Sequence, residues 1–194
     1  MTRARFGELL TAMVTPFDAD GAVDIAAARR LAAYLVAHGS DGLVVCGTTG
    51  ESPTLSHDEK LSLFEAVVAE VGDRASVIAG TGTYDTAESI TLTKEAGERG
   101  VDACLVVTPY YSKPPQNGLE AHFLAIAEES TVPLMIYDIP GRTARRVERP
   151  TMVRLAAHER VVAVKDAVGD ATETARLRAE LDAAGRHDFE IYSG

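Results

Sequence analysis

The sequence is short of the features that usually announce a function. Among 194 residues it has two cysteines, Cys46 and Cys104, both in apolar, strand-like runs. The reading is therefore buried, reduced thiols, not a disulfide or a nucleophile. Of the five histidines (His38, His57, His122, His158 and His187), none stands beside another ligand at metal spacing, and no metal site is expected. Positive charge is scarce: 19 Lys and Arg face 29 Asp and Glu, a net charge of -10. That argues against nucleic acid and against anionic membrane as partners. An acidic substrate stays open, because a local Arg or Lys can make a positive pocket in an acidic protein. Met1 to Gly7 lacks the apolar core of a signal peptide, and no apolar run approaches the ~20 residues of a membrane span. A cytoplasmic protein is expected. No Gly-x-Gly-x-x-Gly opens a helix after the first strand, and there is no P-loop, so dinucleotide and nucleoside triphosphate folds lose ground. No cofactor is expected.

What is there is a regular alternation. Leu9 to Phe17 reads as a strand. Asp24 caps a helix that runs to about His38 and stops at Gly39. Gly42 to Cys46 is a second strand, broken by Gly47-Thr48-Thr49-Gly50-Glu51-Ser52. Ser56 with Glu59 three residues on is a capping box for a helix ending near Gly72. Strands follow at Ser76–Ala79, Ala103–Val107, Leu134–Tyr137, Val161–Asp166 and Phe189–Tyr192. Helices are expected up to about Gly100, at Leu119–Glu129, at Thr151–Ala157 and at Ala171–Ala184. About seven strands thus alternate with about six helices, which implies a parallel sheet. A doubly wound sheet and a (β/α)8 TIM barrel compete. The unusual polar clusters all fall just after strands, where a barrel keeps its chemistry, and this favours the barrel. A barrel needs eight strands in about 250 residues. Residues 1–194 are accordingly expected to be one incomplete barrel domain, its C-terminal part missing.

The sharpest local signal is Val161-Val162-Ala163-Val164-Lys165-Asp166. Four apolar residues make a strand buried on both faces, and they run straight into a lysine. An apolar floor lowers the ammonium pKa, which is how a Schiff-base lysine is made. The bland alternative is a lysine at a strand end pointing into water or pairing with Asp166. Taken singly, Thr48-Thr49 could be a tight turn, Tyr110-Tyr111 and Tyr137 aromatic filling, and Arg142 a surface charge. Together, an amine, phenols, paired hydroxyls and an arginine at one end of a barrel are what an imine-forming aldolase needs.

The stretches Gly47-Thr48-Thr49-Gly50-Glu51-Ser52, Thr108-Pro109-Tyr110-Tyr111, Tyr137-Asp138-Ile139-Pro140-Gly141-Arg142-Thr143 and Val164-Lys165-Asp166-Ala167 resemble the dihydrodipicolinate synthase family. They come in the family's order and at family-like spacing. The family lies among the pyruvate-dependent class I aldolases, with N-acetylneuraminate lyase as a relative. The resemblance implies a lyase that condenses pyruvate with L-aspartate-4-semialdehyde to 4-hydroxy-tetrahydrodipicolinate, in lysine and diaminopimelate biosynthesis. It implies that Lys165 forms the imine, that Tyr137 passes protons, and that Thr48 links Tyr137 to Tyr111. Thr48 and Thr49 would bind the pyruvate carboxylate, and Arg142 the carboxylate of the semialdehyde. Gly194 would offer a backbone carbonyl near the substrate. Tyr110 and Tyr111 would lie at a subunit interface, with Tyr111 entering a neighbour's site in a homotetramer. Asp138 and Asp166 depart from the family's usual Asn and Glu.

Three other readings compete. One is a sister aldolase acting on a sugar acid, against which Arg142 and the tyrosine pair argue. Another is an inactive fragment that kept the motifs, and the last is a phosphate-binding barrel enzyme. Feedback inhibition by lysine is expected to be weak or absent. Lysine-sensitive members tend to place Asn where this chain has Tyr84, and His or Glu where it has Lys60, although His57 and Glu88 match them. The alternative is that Lys60 and Tyr84 are solvated helix-start residues that say nothing of regulation.

Overall fold

The computed structural model describes residues 4–194. The chain divides into two compact units. The first comprises the residues up to Thr81 together with Leu92–Leu105, and the second comprises Gly82–Thr91 and Val106–Gly194.

In the first unit β1 (Leu10–Ala12), β2 (Gly42–Val45), β3 (Ser76–Gly80) and the start of β4 (Ala103–Val107) pair in parallel. The helices α1 (Ile25–Ala37) and α2 (His57–Val71) connect the first three strands, and α3 (Thr86–Glu98) precedes β4. The expected caps are present. The Asp24 side chain accepts from the N–H of Ala27 at 2.8 Å, and Gly39 beyond the helix end takes a left-handed φ of +104°. Ser56 and Glu59 form the reciprocal capping box, which satisfies two of the four N–H groups a helix start leaves unpaired. The strand β2 is buried along its whole length, and Leu63, Phe64 and Val67 of α2 are fully buried. Truncating a phenylalanine such as Phe64 would destabilise by about 3–5 kcal/mol.

In the second unit β5 (Leu134–Asp138), β6 (Val161–Asp166) and β7 (Glu190–Ser193) pair in parallel, with α4 (Gln116–Glu129), α5 (Pro140–Thr143), α6 (Arg149–Ala156) and α7 (Ala171–Ala183) between and before them. The core here is made by β5, by Val161–Val164, and by Leu119, Phe123 and Ile126 of α4. The side chain of Asp170 caps α7 by accepting from the N–H groups of Thr172 and Glu173.

The strands hydrogen-bond in strict chain order, β1 to β7, with no reversal. A doubly wound sheet must reverse its order at a switch point, so that alternative falls. The fold is that of a (β/α)8 barrel over seven strands. Some boundaries move. The first strand is three residues long instead of reaching Phe17, because Pro16 has no N–H to give to a ladder and Phe17 turns back to bridge Val23 antiparallel. The fourth helix begins at Gln116, on Pro115 as N-cap, not at Leu119. The expected Thr151–Ala157 helix begins at Arg149 with Pro150 in its first turn. The short helical turn α5, which carries Arg142, was not expected at all. The seventh strand is shifted by one residue toward the C-terminus. No helix among the described residues is long and apolar enough to cross a membrane.

Candidate active site

Lys165 is the last residue but one of β6, whose first four residues are buried. Its side chain is half-buried, and burial alone lowers the ammonium pKa. The bland alternative of a pair with Asp166 does not hold. The Asp166 carboxylate is committed elsewhere, accepting from the N–H of Val168 at 3.0 Å and from the hydroxyl of Thr174. Tyr137, at the end of β5, is the register partner of Lys165. Residues opposite each other on neighbouring strands share a face, and Lys165 Nζ accordingly lies 4.5 Å from the centre of the Tyr137 ring. Tyr137 is 5% exposed. Its carbonyl is gripped twice by Thr108, by the N–H at 2.9 Å and by the hydroxyl at 3.0 Å. The amine and the phenol therefore rest on strands, not on loops.

Gly194 follows β7, and its N–H donates to the carbonyl of Asp166 at 2.9 Å. A Cβ built on Gly194 would meet Lys165 Cε at 3.0 Å and Cγ at 3.3 Å. The lysine stem thus runs along the glycine backbone. Lys165, Tyr137 and Gly194 are brought together at the carboxyl ends of β5, β6 and β7.

Arg142 is exposed on α5, in the segment between Asp138 and Val147. That segment is tightly bonded. The Thr143 hydroxyl bonds to the carbonyls of Ile139 and Arg145, and the Arg142 N–H donates to the carbonyl of Ile139 at 3.0 Å. Gln116 brackets its far end, donating to the carbonyl of Arg146 at 2.8 Å and accepting from the N–H of Glu148 at 3.0 Å. Arg145 donates to the carbonyl of Lys113 at 3.0 Å, which ties the arginine segment to the loop that follows the tyrosine pair.

In that loop Tyr110 packs edge-on against Tyr84, ring centres 5.2 Å apart. Burial first, then Tyr84 and Glu88, push its phenol pKa up. Tyr111 is 92% exposed and holds a φ of +66°. A bulky residue in the left-handed region is held there at a cost of roughly 1–3 kcal/mol.

Thr48 and Thr49 lie in the first unit, exposed in the turn after β2. The turn is pinned by the N–H of Gly50 and of Ser52 to the carbonyl of Gly47, and by the Thr15 hydroxyl to the carbonyl of Gly50 at 2.7 Å. Among the described residues the N–H groups of Thr48 and Thr49 donate to no backbone carbonyl, so they remain available to an anion. The turn starts from Cys46, at a φ of +54°. Its carbonyl comes so close to Gly80 of β3 that a Cβ there would sit 2.2 Å away. Cys46 and Cys104 are free and buried, and burial pushes both thiols up to about 12. Lys60 is 5% exposed and lies near Cys46, so it is not the solvated helix-start residue that the bland reading made of it. His57 is paired with Glu95.

Sequence reasoning marked Asp138 only as a departure from the family's usual Asn and gave it no role. It is 4% exposed, and burial, against the pull of the Val147 N–H and of Arg146, pushes its carboxyl up to about 7. Its position in a run ending at a strand edge gave no signal of burial.

A profile of the Dihydrodipicolinate synthetase family matches residues 5–194. The 4-hydroxy-tetrahydrodipicolinate synthase of Acidothermus cellulolyticus is 59% identical over 191 residues, covering 98% of this chain and 60% of that one. A crystal structure of a dihydrodipicolinate synthase from Bacillus anthracis superposes with a TM-score of 0.92 at 48% identity, covering 98% of this chain and 64% of that one. A dihydrodipicolinate synthase from Cyanidioschyzon merolae, solved with lysine bound, gives a TM-score of 0.93 at 43% identity, over 99% of this chain and 64% of that one. The chain thus spans 60% to 64% of the length of these relatives.

Proposed function

The chain belongs to the dihydrodipicolinate synthetase family, and on that premise we propose that it carries the catalytic half-site of a Schiff-base lyase joining pyruvate to L-aspartate-4-semialdehyde. The observation that carries this reading is the half-buried amine of Lys165 beside the ring of Tyr137. The neutral amine attacks the ketone carbon of pyruvate. Two protons and the ketone oxygen leave as water, and an imine to Nζ remains. The imine draws electrons from the adjacent methyl group, which loses a proton and attacks the aldehyde carbon. Tyr137 supplies and takes up protons at the carbinolamine and at the new alcohol, with Thr48 and the partner subunit's Tyr111 as its relay. Thr48 and Thr49 hold the pyruvate carboxylate through their hydroxyls and free N–H groups. Arg142 holds the carboxylate of the semialdehyde by two parallel charge-assisted bonds. The carbonyl of Gly194 faces the substrate.

The strained, exposed Tyr111 supports an assembly in which a second copy covers it, with Tyr110 at the same interface and a homotetramer as the complete form. Residues 1–194 are one domain of that protein, in the cytoplasm. Lysine regulates it weakly or not at all.

The test is borohydride reduction in the presence of pyruvate, followed by peptide mapping, on the protein at its natural length. Adduct on Lys165 is expected. Adduct on another lysine, or an active Lys165→Ala variant, overturns the mechanism.

A further inference from the structure

Asp138 ends β5 one residue after Tyr137, and its two ends do different work. Its backbone carbonyl accepts from the N–H of Ala167 at 2.9 Å, fastening β5 to the residue after β6. Its side-chain Oδ1 accepts from the N–H of Val147 at 3.1 Å, a residue nine positions on. Everything between, including α5 and Arg142, is a segment whose two ends meet at this carboxylate. Val147 is itself buried, so its N–H has no water to turn to and needs this acceptor.

The geometry points to Asp138 as a positioning residue: its carboxylate closes the loop that carries Arg142 and so sets where that guanidinium meets the carboxylate of the aldehyde substrate. The inference rests on the reading of Arg142 given above. Gln116 holds the far side of the loop through Arg146 and Glu148. Asp138 is the tie on the side of the reacting groups, next to Tyr137 in sequence and opposite Asp166 in register.

The charged groups facing Asp138 are the guanidinium of Arg146, from the loop itself, and the carboxylate of Asp166, from β6. Arg146 is shared with Glu173, at 3.0 Å. The ionised form of Asp138 accepts more strongly from Val147 than the neutral acid does. Burial outweighs that pull and pushes the carboxyl up to about 7, so the closed loop favours the neutral acid and the closure loosens as pH rises across neutrality.

The experiment compares Asp138→Ala, Asp138→Asn and Arg142→Ala in the protein at its natural length. Three readouts are used: KM for the semialdehyde, borohydride trapping of pyruvate, and limited trypsin digestion. Asp138→Ala is expected to raise the aldehyde KM on the order of tenfold, as a small misplacement of a binding group does, with pyruvate trapping unchanged. Trypsin should then cut after Arg142, Arg145 or Arg146 before any other site. The amide oxygen of Asp138→Asn can still accept from Val147, so this variant should restore both properties. In the parent protein early cutting should increase from pH 6 to pH 8 relative to Asp138→Asn at the same pH.

The inference is overturned if Arg142→Ala raises the aldehyde KM and Asp138→Ala does not, if trapping falls in step with KM, or if Asn fails to rescue. An Arg142→Ala variant with an unchanged aldehyde KM sinks the reading of Arg142, and this inference with it. Should Asp138→Ala not fold, the digestion ratio between the parent and Asp138→Asn decides, and a ratio that does not change with pH overturns the inference.

Discussion

Gly194 and Lys165 are in contact through the missing side chain of the one and the stem of the other: a Cβ on Gly194 would stand 3.0 Å from Lys165 Cε. It would also stand 3.0 Å from the Cβ of Ala167. The lysine can move aside, but Ala167 cannot. A valine at this position should therefore displace the amine from its place over the Tyr137 ring. Gly194→Val is expected to slow pyruvate trapping by borohydride by an order of magnitude or more, with Gly194→Ala between it and the parent. Equal trapping rates in all three would show that the stem does not depend on this glycine.

Lys165 should oppose the stability of the fold that holds it. Its folded-state pKa lies below the ordinary 10.5 because burial disfavours the charge. Below the folded pKa the unfolded chain holds the charged form at no disadvantage, and the folded chain bears the whole penalty. The penalty fades as pH rises from the folded pKa to 10.5. Lys165→Met, close in shape, is expected to raise the melting temperature at pH 7 and to lose that advantage as pH approaches 10.5. A variant less stable than the parent at pH 7 would contradict this.

Asp138 gives the opposite slope. Its carboxyl is raised from 3.8 to about 7, so the folded chain binds more protons than the unfolded chain between these values. Its contribution to stability is present below pH 3.8 and is lost as pH rises through about 7. Asp138→Asn keeps the acceptor and cannot ionise. The melting temperature of the variant minus that of the parent should grow from pH 5 to pH 8 in thermal melts. A constant difference would show that the carboxyl titrates at its ordinary value.

Arg142→Ala should weaken use of the semialdehyde and leave imine formation with pyruvate largely intact. Loss of a charge-assisted carboxylate contact corresponds to about 1.5–3 kcal/mol, or roughly 10- to 150-fold in kcat/KM for the aldehyde. A parallel loss of pyruvate trapping would place Arg142 on the wrong carboxylate.

Inhibition by L-lysine is expected only above millimolar concentration. Lys60 is buried on α2, without the freedom of an exposed lysine to swing away, and Tyr84 is packed edge-on against Tyr110. An ammonium ligand a few ångströms from Lys60 would be repelled by roughly 1–4 kcal/mol at effective dielectrics of 80 to 20. An inhibition curve with half-effect well below millimolar would remove both residues from the control of this response.

The parts of this structure that the sequence makes legible are those set by local chemistry. The Asp24 cap and the Ser56–Glu59 box need only their own residues, and they mark helix starts correctly. Val161–Val164 reads as buried because four apolar side chains in a row leave a strand no polar face. Arg142 on a helical turn could not be read, because α5 is held by the Thr143 hydroxyl and a left-handed Ala144, with no periodic pattern. The burial of Asp138 and Lys60 escaped for a related reason. Each is set by what packs over it from elsewhere in the chain, and a charged residue carries no local mark of being covered.

Gly80 has a bearing on how sequences of this kind can change over generations. It lies more than thirty positions from the Thr48–Thr49 turn, yet the carbonyl of Cys46 occupies the space where its side chain would be. A lineage that replaced Gly80 with any other residue would have to rebuild the Cys46 turn in the same step. The two positions are therefore tied in inheritance, and variation in the turn is explored only behind an unchanging glycine on the next strand.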